Sequence, residues 1–171
     1  MALMATTRRE METPSFPWWV YLLFPLALGL QAYIPLHFPR FDIFDLPLLL
    51  VIYFSFTRRS PVGGTITGMV VGLMQDALTH RPLGIAGITE TVIGFLAASI
   101  GIKIDVENSG ARLLLNFLLT VLYSFLFLLI ARHLVGSEHK WSWIHEMLKA
   151  GINSFTGVVL FALLDRMQLR E

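Results

Sequence analysis

The chain has no cysteine, which excludes disulfides, thiolate metal sites and cysteine nucleophiles together. It is also poor in charge. Only 15% of its 171 residues are Asp, Glu, Lys or Arg, where about 25% is usual for a soluble domain. Thirteen basic residues against 12 acidic ones leave a formal net charge of +1, so there is no basic field suited to nucleic acid. No G-x-S-x-G, P-loop or dinucleotide fingerprint occurs. The five histidines (His37, His80, His133, His139 and His145) form neither HExxH nor another close ligand spacing. Enzymatic chemistry has no visible carrier, and neither a metal nor a cofactor is expected.

What the chain has in excess is apolar surface. It is 55% hydrophobic, its mean hydropathy is +0.66 and its mass is 19.3 kDa. A soluble globule of that mass has too little interior to hide so much. The composition points to an all-α integral membrane protein forming one transmembrane domain over residues 1–171. A helix needs about 20 apolar residues to cross the hydrocarbon core. Six candidate spans follow a tail of residues 1–17: 18–36, 43–56, 62–78, 83–102, 113–135 and 147–164. The second is short. The first follows Arg8 and Arg9 but is long and lacks a good cleavage pattern, so it is expected to stay uncleaved.

Lys and Arg in the short loops set the direction. With both termini cytoplasmic, Arg8, Arg9, Arg58, Arg59, Lys103, Arg112, Arg166 and Arg170 lie inside. Arg40, Arg81, Arg132, Lys140 and Lys149 then lie outside, so the split is eight against five, or eight against two without the last loop. Trp18 and Trp19 would anchor the inner interface, and Trp141 and Trp143 the outer one. Ser60-Pro61 and Asp45-Leu46-Pro47 each place a capping side chain before an early proline, which starts a helix. The polar run from 103 to 112 separates two spans. The stretch from 136 to 146 is expected to lie flat at the outer surface.

Three groups of residues merit attention. Gly64, Gly68, Gly72 and Asp76 recur every four residues after Pro61, so they share one helix face. Small residues at this spacing let two backbones approach closely in lipid. The face either packs against a neighbouring span or receives a partner's helix. Asp76 and Glu90 are the acids expected at membrane depth, where such residues usually face the bundle interior or water. Asp76 either caps the following turn or pairs with Arg81, and the sharper reading makes the two acids a proton or substrate site. Asn116, Thr120 and Ser124, with Asn153, Ser154 and Thr156, read as hydrogen-bonding links between helices.

These features resemble the MreD family of bacterial rod shape-determining membrane proteins. The likeness rests on Asp45-Leu46-Pro47 with the three leucines after it, then on Pro61, Gly64, Gly68, Gly72-Leu73 and Asp76, followed by Leu83-Gly84. The resemblance implies a non-enzymatic scaffold of the complex that elongates the lateral cell wall, in the cytoplasmic (inner) membrane. Its implied partners are MreC, RodA, a class B penicillin-binding transpeptidase and, on the cytoplasmic side, MreB. It also implies a six-helix fold like that of the substrate-binding subunits of energy-coupling-factor transporters. That likeness supplies the alternative, a subunit binding a vitamin-like ligand. The first span, however, has only Gly29 and scattered alanines where such a subunit would carry paired small-residue motifs.

Overall fold

Prolines and capping side chains start two of the helices at the expected places. Asp45 accepts a hydrogen bond from the Leu48 N–H and opens α2 (Leu46–Arg58), with Pro47 in its first turn. Ser60 accepts from the Gly63 N–H and opens α3 (Pro61–Leu78) at Pro61, whose missing N–H costs nothing there. The computed structural model describes residues 16–38, 43–104, 108–134, 136 and 142–167. Among these, a 3-10 turn, Trp18–Leu22, leads into α1 (Leu23–His37), and α2 and α3 are followed by α4 (Ile85–Lys103), α5 (Ser109–Leu134) and α6 (Trp143–Asp165). No strand occurs among the described residues.

Four of these segments are long and apolar enough to cross a membrane: residues 18–37, α4, α5 and α6. Six such spans were expected, and the two departures have clear causes. The 13 residues of α2 reach only ~20 Å at 1.5 Å per residue, against a hydrocarbon core of ~30 Å. Four glycines, two threonines, Gln75 and Asp76 dilute the apolar character of α3. Short as it is, α2 forms the centre of the bundle. Residues 47–56 are all buried, and α1, α3, α4 and α6 pack around them.

The helix ends differ from the expected boundaries on the C-terminal side. α5 starts at Ser109 rather than 113, because Asn108 accepts at its side chain from the Gly110 N–H and at its carbonyl from the Arg112 N–H. Part of the polar run expected to be loop is therefore helix. Likewise α6 starts at Trp143, so residues 143–146 belong to it and not to a flat surface segment. Arg8, Arg9, Arg40, His139, Lys140, Trp141 and Arg170 lie outside the described residues, as does most of the tail.

Candidate functional site

The most extensive helix pair is α3 with α4, and the glycines explain it. A Cβ placed on Gly64 would meet the Gly94 carbonyl, and one on Gly68 would meet the Glu90 carbonyl. On Gly72 it would lie 2.5 Å from the Ala86 carbonyl oxygen. The two backbones thus touch at Gly64, Gly68 and Gly72. This face is filled by α4 and is not open to a partner's helix.

Asp76 closes the same pair. It is fully buried, and its carboxylate accepts from the N–H groups of Gly84 at 2.9 Å, Ala86 at 3.0 Å and Gly87 at 3.3 Å. Gly84 adopts φ 104°, a left-handed turn that favours glycine and brings these donors round to the carboxylate. A negative charge at the positive end of α4 is also favoured by the helix dipole. Asp76 is therefore the cap of the next helix, and both its oxygens are engaged. This removes it from the expected proton or substrate site.

A second polar layer surrounds the start of α2. The Asp45 N–H donates to Asn153 Oδ1 at 2.9 Å, and Asn153 donates to the carbonyls of Ile43 and Lys149. The Asp45 carboxylate lies 3.6 Å from Lys149 Nζ and accepts from Gln75 Nε2 at 3.4 Å. Asn153 is ten residues past the start of α6 at Trp143, about 15 Å along the helix. Asp45, at the start of α2, sits level with that point of α6. Lys149, expected to be a charge of the outer loop, lies inside α6 as the partner of this buried carboxylate.

Beside this satisfied layer lie polar atoms with no hydrogen-bond partner among the described residues. They are both carboxyl oxygens of Glu90, Gln75 Oε1, the Tyr123 hydroxyl, Ser55 Oγ, the Asn116 amide, Thr120 Oγ1 and Ser124 Oγ. Glu90 is fully buried, and Gln75 and Tyr123 are nearly so. Asn116, Thr120 and Ser124 were expected to link helices by hydrogen bonds. They do face the interior, with the Asn116 amide against Gly157, but none of them has a hydrogen-bond partner among the described residues. Ser154 bonds within its own helix, to the Ala150 carbonyl. No group of three His, Cys, Asp or Glu among the described residues could hold a metal ion.

A family model described as rod shape-determining protein MreD matches residues 13–167, nearly the whole chain. The chain belongs to the MreD family. It is thus a rod shape-determining, multi-pass membrane protein. No curated protein and no solved structure matches it.

Reasoning from sequence missed several residues of this MreD interior. Asp45 was read only as a helix start and Lys149 only as a loop charge. The signal was present in the 13-residue apolar run after Asp45, too short to reach the far surface. Gly94 and Gly101 were missed as well. Gly94 meets Gly64, and a Cβ on Gly101 would lie 2.7 Å from the Phe56 carbonyl oxygen. Their seven-residue spacing, shared with Gly87, marks a second small-residue face that joins α4 to both α3 and α2.

Proposed function

We propose that this chain is a non-enzymatic scaffold of the cell-wall elongation complex that holds MreC, together with RodA and a class B penicillin-binding transpeptidase, and meets MreB on the cytoplasmic side. The family match over residues 13–167 carries this reading. The engaged acids Asp45 and Asp76 support it, since neither is left for catalysis. All six helices would cross or enter the inner membrane as one domain, with both termini cytoplasmic. The short-loop charges, eight against five, support this orientation through the positive-inside bias.

The glycine face is occupied, so a partner helix needs another surface. An open apolar groove of about 320 Å³ runs between α1 and α3, lined by Phe24, Leu28, Ile66, Val70 and Met74 among others. We assign the transmembrane helix of MreC to it. Affinity purification from native membranes tests this assignment: the wild-type chain should recover MreC, and Val70→Trp, which fills the groove, should recover at least tenfold less at equal membrane abundance. Absence of MreC from the wild-type preparation would overturn the scaffold reading. The second reading, a vitamin-binding subunit with the fold of energy-coupling-factor substrate-binding proteins, is favoured by the unpartnered interior atoms. It would gain if the rounding of depleted cells were cured by one vitamin.

A further inference from the structure

Gln31 is a glutamine in the middle of an apolar helix, eight residues past the start of α1 and six before its end. It is only 8% exposed, and its amide makes no hydrogen bond among the described residues. The side chain lines an open groove of about 270 Å³ between α1 and α6, walled by Ile34, Pro35, Phe44 and Leu46 among others. Thr156 of α6 lines the same groove, and its hydroxyl makes no hydrogen bond among the described residues either. By contrast, Thr57, Thr65, Thr79, Thr89 and Thr91 each donate to the carbonyl four residues back. The groove continues along α6 as a second hollow of about 460 Å³ that shares Phe44 and Thr156 with it. It exists because α1 packs on α2 and α3 while α6 packs on α5 and α2, which leaves the bundle open between α1 and α6.

No residue lining the groove carries a formal charge, so a matching occupant presents a neutral hydrogen-bonding group. Depth narrows the choice further. Thr156 is 13 residues past Trp143 and nine before Asp165, about 20 Å and 14 Å along the helix. Acyl chains at that depth offer neither donor nor acceptor, and a polar group left unsatisfied there is costly. A second copy of this chain is no better matched. The exposed side chains nearest the middle of its helices, Leu26, Val70, Phe95, Phe125 and Phe155, are all apolar. A span of a different protein can bring a polar side chain to mid-membrane, and such groups hydrogen-bond between helices. We propose that the groove between α1 and α6 docks a transmembrane helix of another protein that carries an uncharged hydrogen-bonding side chain (Ser, Thr, Asn or Gln) near its midpoint. Gln31, which can donate and accept, and Thr156 read that side chain. The proposal rests on the reading of this chain as a holder of partner helices, and it adds a docking surface distinct from the groove between α1 and α3.

The test uses the labelled full chain in lipid vesicles with three labelled synthetic helices of about 20 residues. One is all leucine, one carries an asparagine at its centre, and one carries it near an end. Binding is read by energy transfer at peptide densities where the synthetic helices stay monomeric. The central-asparagine helix should bind roughly 3–30-fold tighter than the all-leucine helix, and the end-asparagine helix should gain nothing. Gln31→Leu should remove this preference and leave binding of the all-leucine helix unchanged. Because Gln31 has no bond to lose, Gln31→Leu should melt at or above the wild-type midpoint. Thr156→Val, which keeps the shape, should reduce the preference and remains decisive if Gln31→Leu does not fold. Equal binding of the central-asparagine and all-leucine helices would give the groove to lipid and overturn the proposal. A preference unchanged in both variants would overturn it too, as would pairing between labelled chains that Gln31→Leu disperses, which would make the occupant a second copy. Recovery of MreC by the wild-type chain beside any of these three results would leave the scaffold reading standing, so the two readings fail separately.

Discussion

The α3–α4 pair and the α5-facing interior are both buried and both rich in small or polar residues, yet they are built on opposite terms. Between α3 and α4, backbone meets backbone at Gly64, Gly68 and Gly72, and the single acid, Asp76, accepts from three N–H groups. Facing α5, the hydroxyls of Thr120, Ser124 and Tyr123 and the Asn116 amide lie buried with no hydrogen-bond partner among the described residues. The first region is closed and internally complete. The second is left with capacity to bond to something further. In a bundle whose lipid surroundings supply no hydrophobic force between helices, close backbone contact of this kind is what can hold two helices together.

The sharpest way to break this comparison is to add bulk to the closed pair. At Gly68, even one methyl would meet the Glu90 carbonyl, and a backbone group cannot swing aside as a side chain would. Overpacking usually costs about 1–3 kcal/mol, occasionally more, and Gly68→Leu should lie at or above the top of that range. Membrane accumulation should fall sharply, and any protein recovered in detergent should melt well below wild type. A variant with wild-type abundance and midpoint would show that the helices separate without cost and that their close contact does not hold the bundle together.

A smaller effect is expected at the cap. Asp76→Ala orphans three N–H donors at the start of α4, those of Ala86 and Gly87 buried and that of Gly84 partly so, where a lost cap alone typically costs ~0.5–2 kcal/mol and bonds to a charged group add to that. A loss of ~2–3 kcal/mol should appear in equilibrium unfolding, with Asp76→Asn, which keeps one acceptor oxygen, falling in between. Equal losses in the two variants would mean that the charge at the helix start matters and the geometry of acceptance does not.

The same contrast explains what could be read in the sequence. A four-residue glycine spacing ending in a carboxylate is a local pattern on one helix, so Gly64, Gly68, Gly72 and Asp76 were visible as a shared face. Which element covers that face depends on α4, whose Gly94 shows its purpose only opposite Gly64. Asp45 and Ser60 were legible as helix starts because a cap acts within three residues. The pair of Asp45 with Lys149, 104 positions apart (149 less 45), depends on how the start of α2 packs against α6, which no local pattern shows. The polar residues of α5 misled because spacing shows that they face inward but not whether acceptors and donors await them there.

Those residues give the smallest effect and the most discriminating one. Removing a hydrogen-bonding group that has no partner should cost little, because the group is already desolvated and unpaired. Replacing it by an apolar group of the same shape is often neutral or stabilising. Thr120→Val keeps the shape and deletes the hydroxyl, so its unfolding free energy should stay within ~1 kcal/mol of wild type or rise slightly. The corresponding change in the satisfied layer, Asn153→Leu, removes the acceptor of the Asp45 N–H and two donated bonds. It should lose ~1–3 kcal/mol, the usual cost of leaving buried groups unpaired. The two variants alter similar chemistry in helices that pack side by side, so the difference between them isolates whether a buried polar atom has a partner. If Thr120→Val destabilises as much as Asn153→Leu, the α5 hydroxyls are held by bonds to bound water or a guest even in the resting protein, and the second region is as complete as the first.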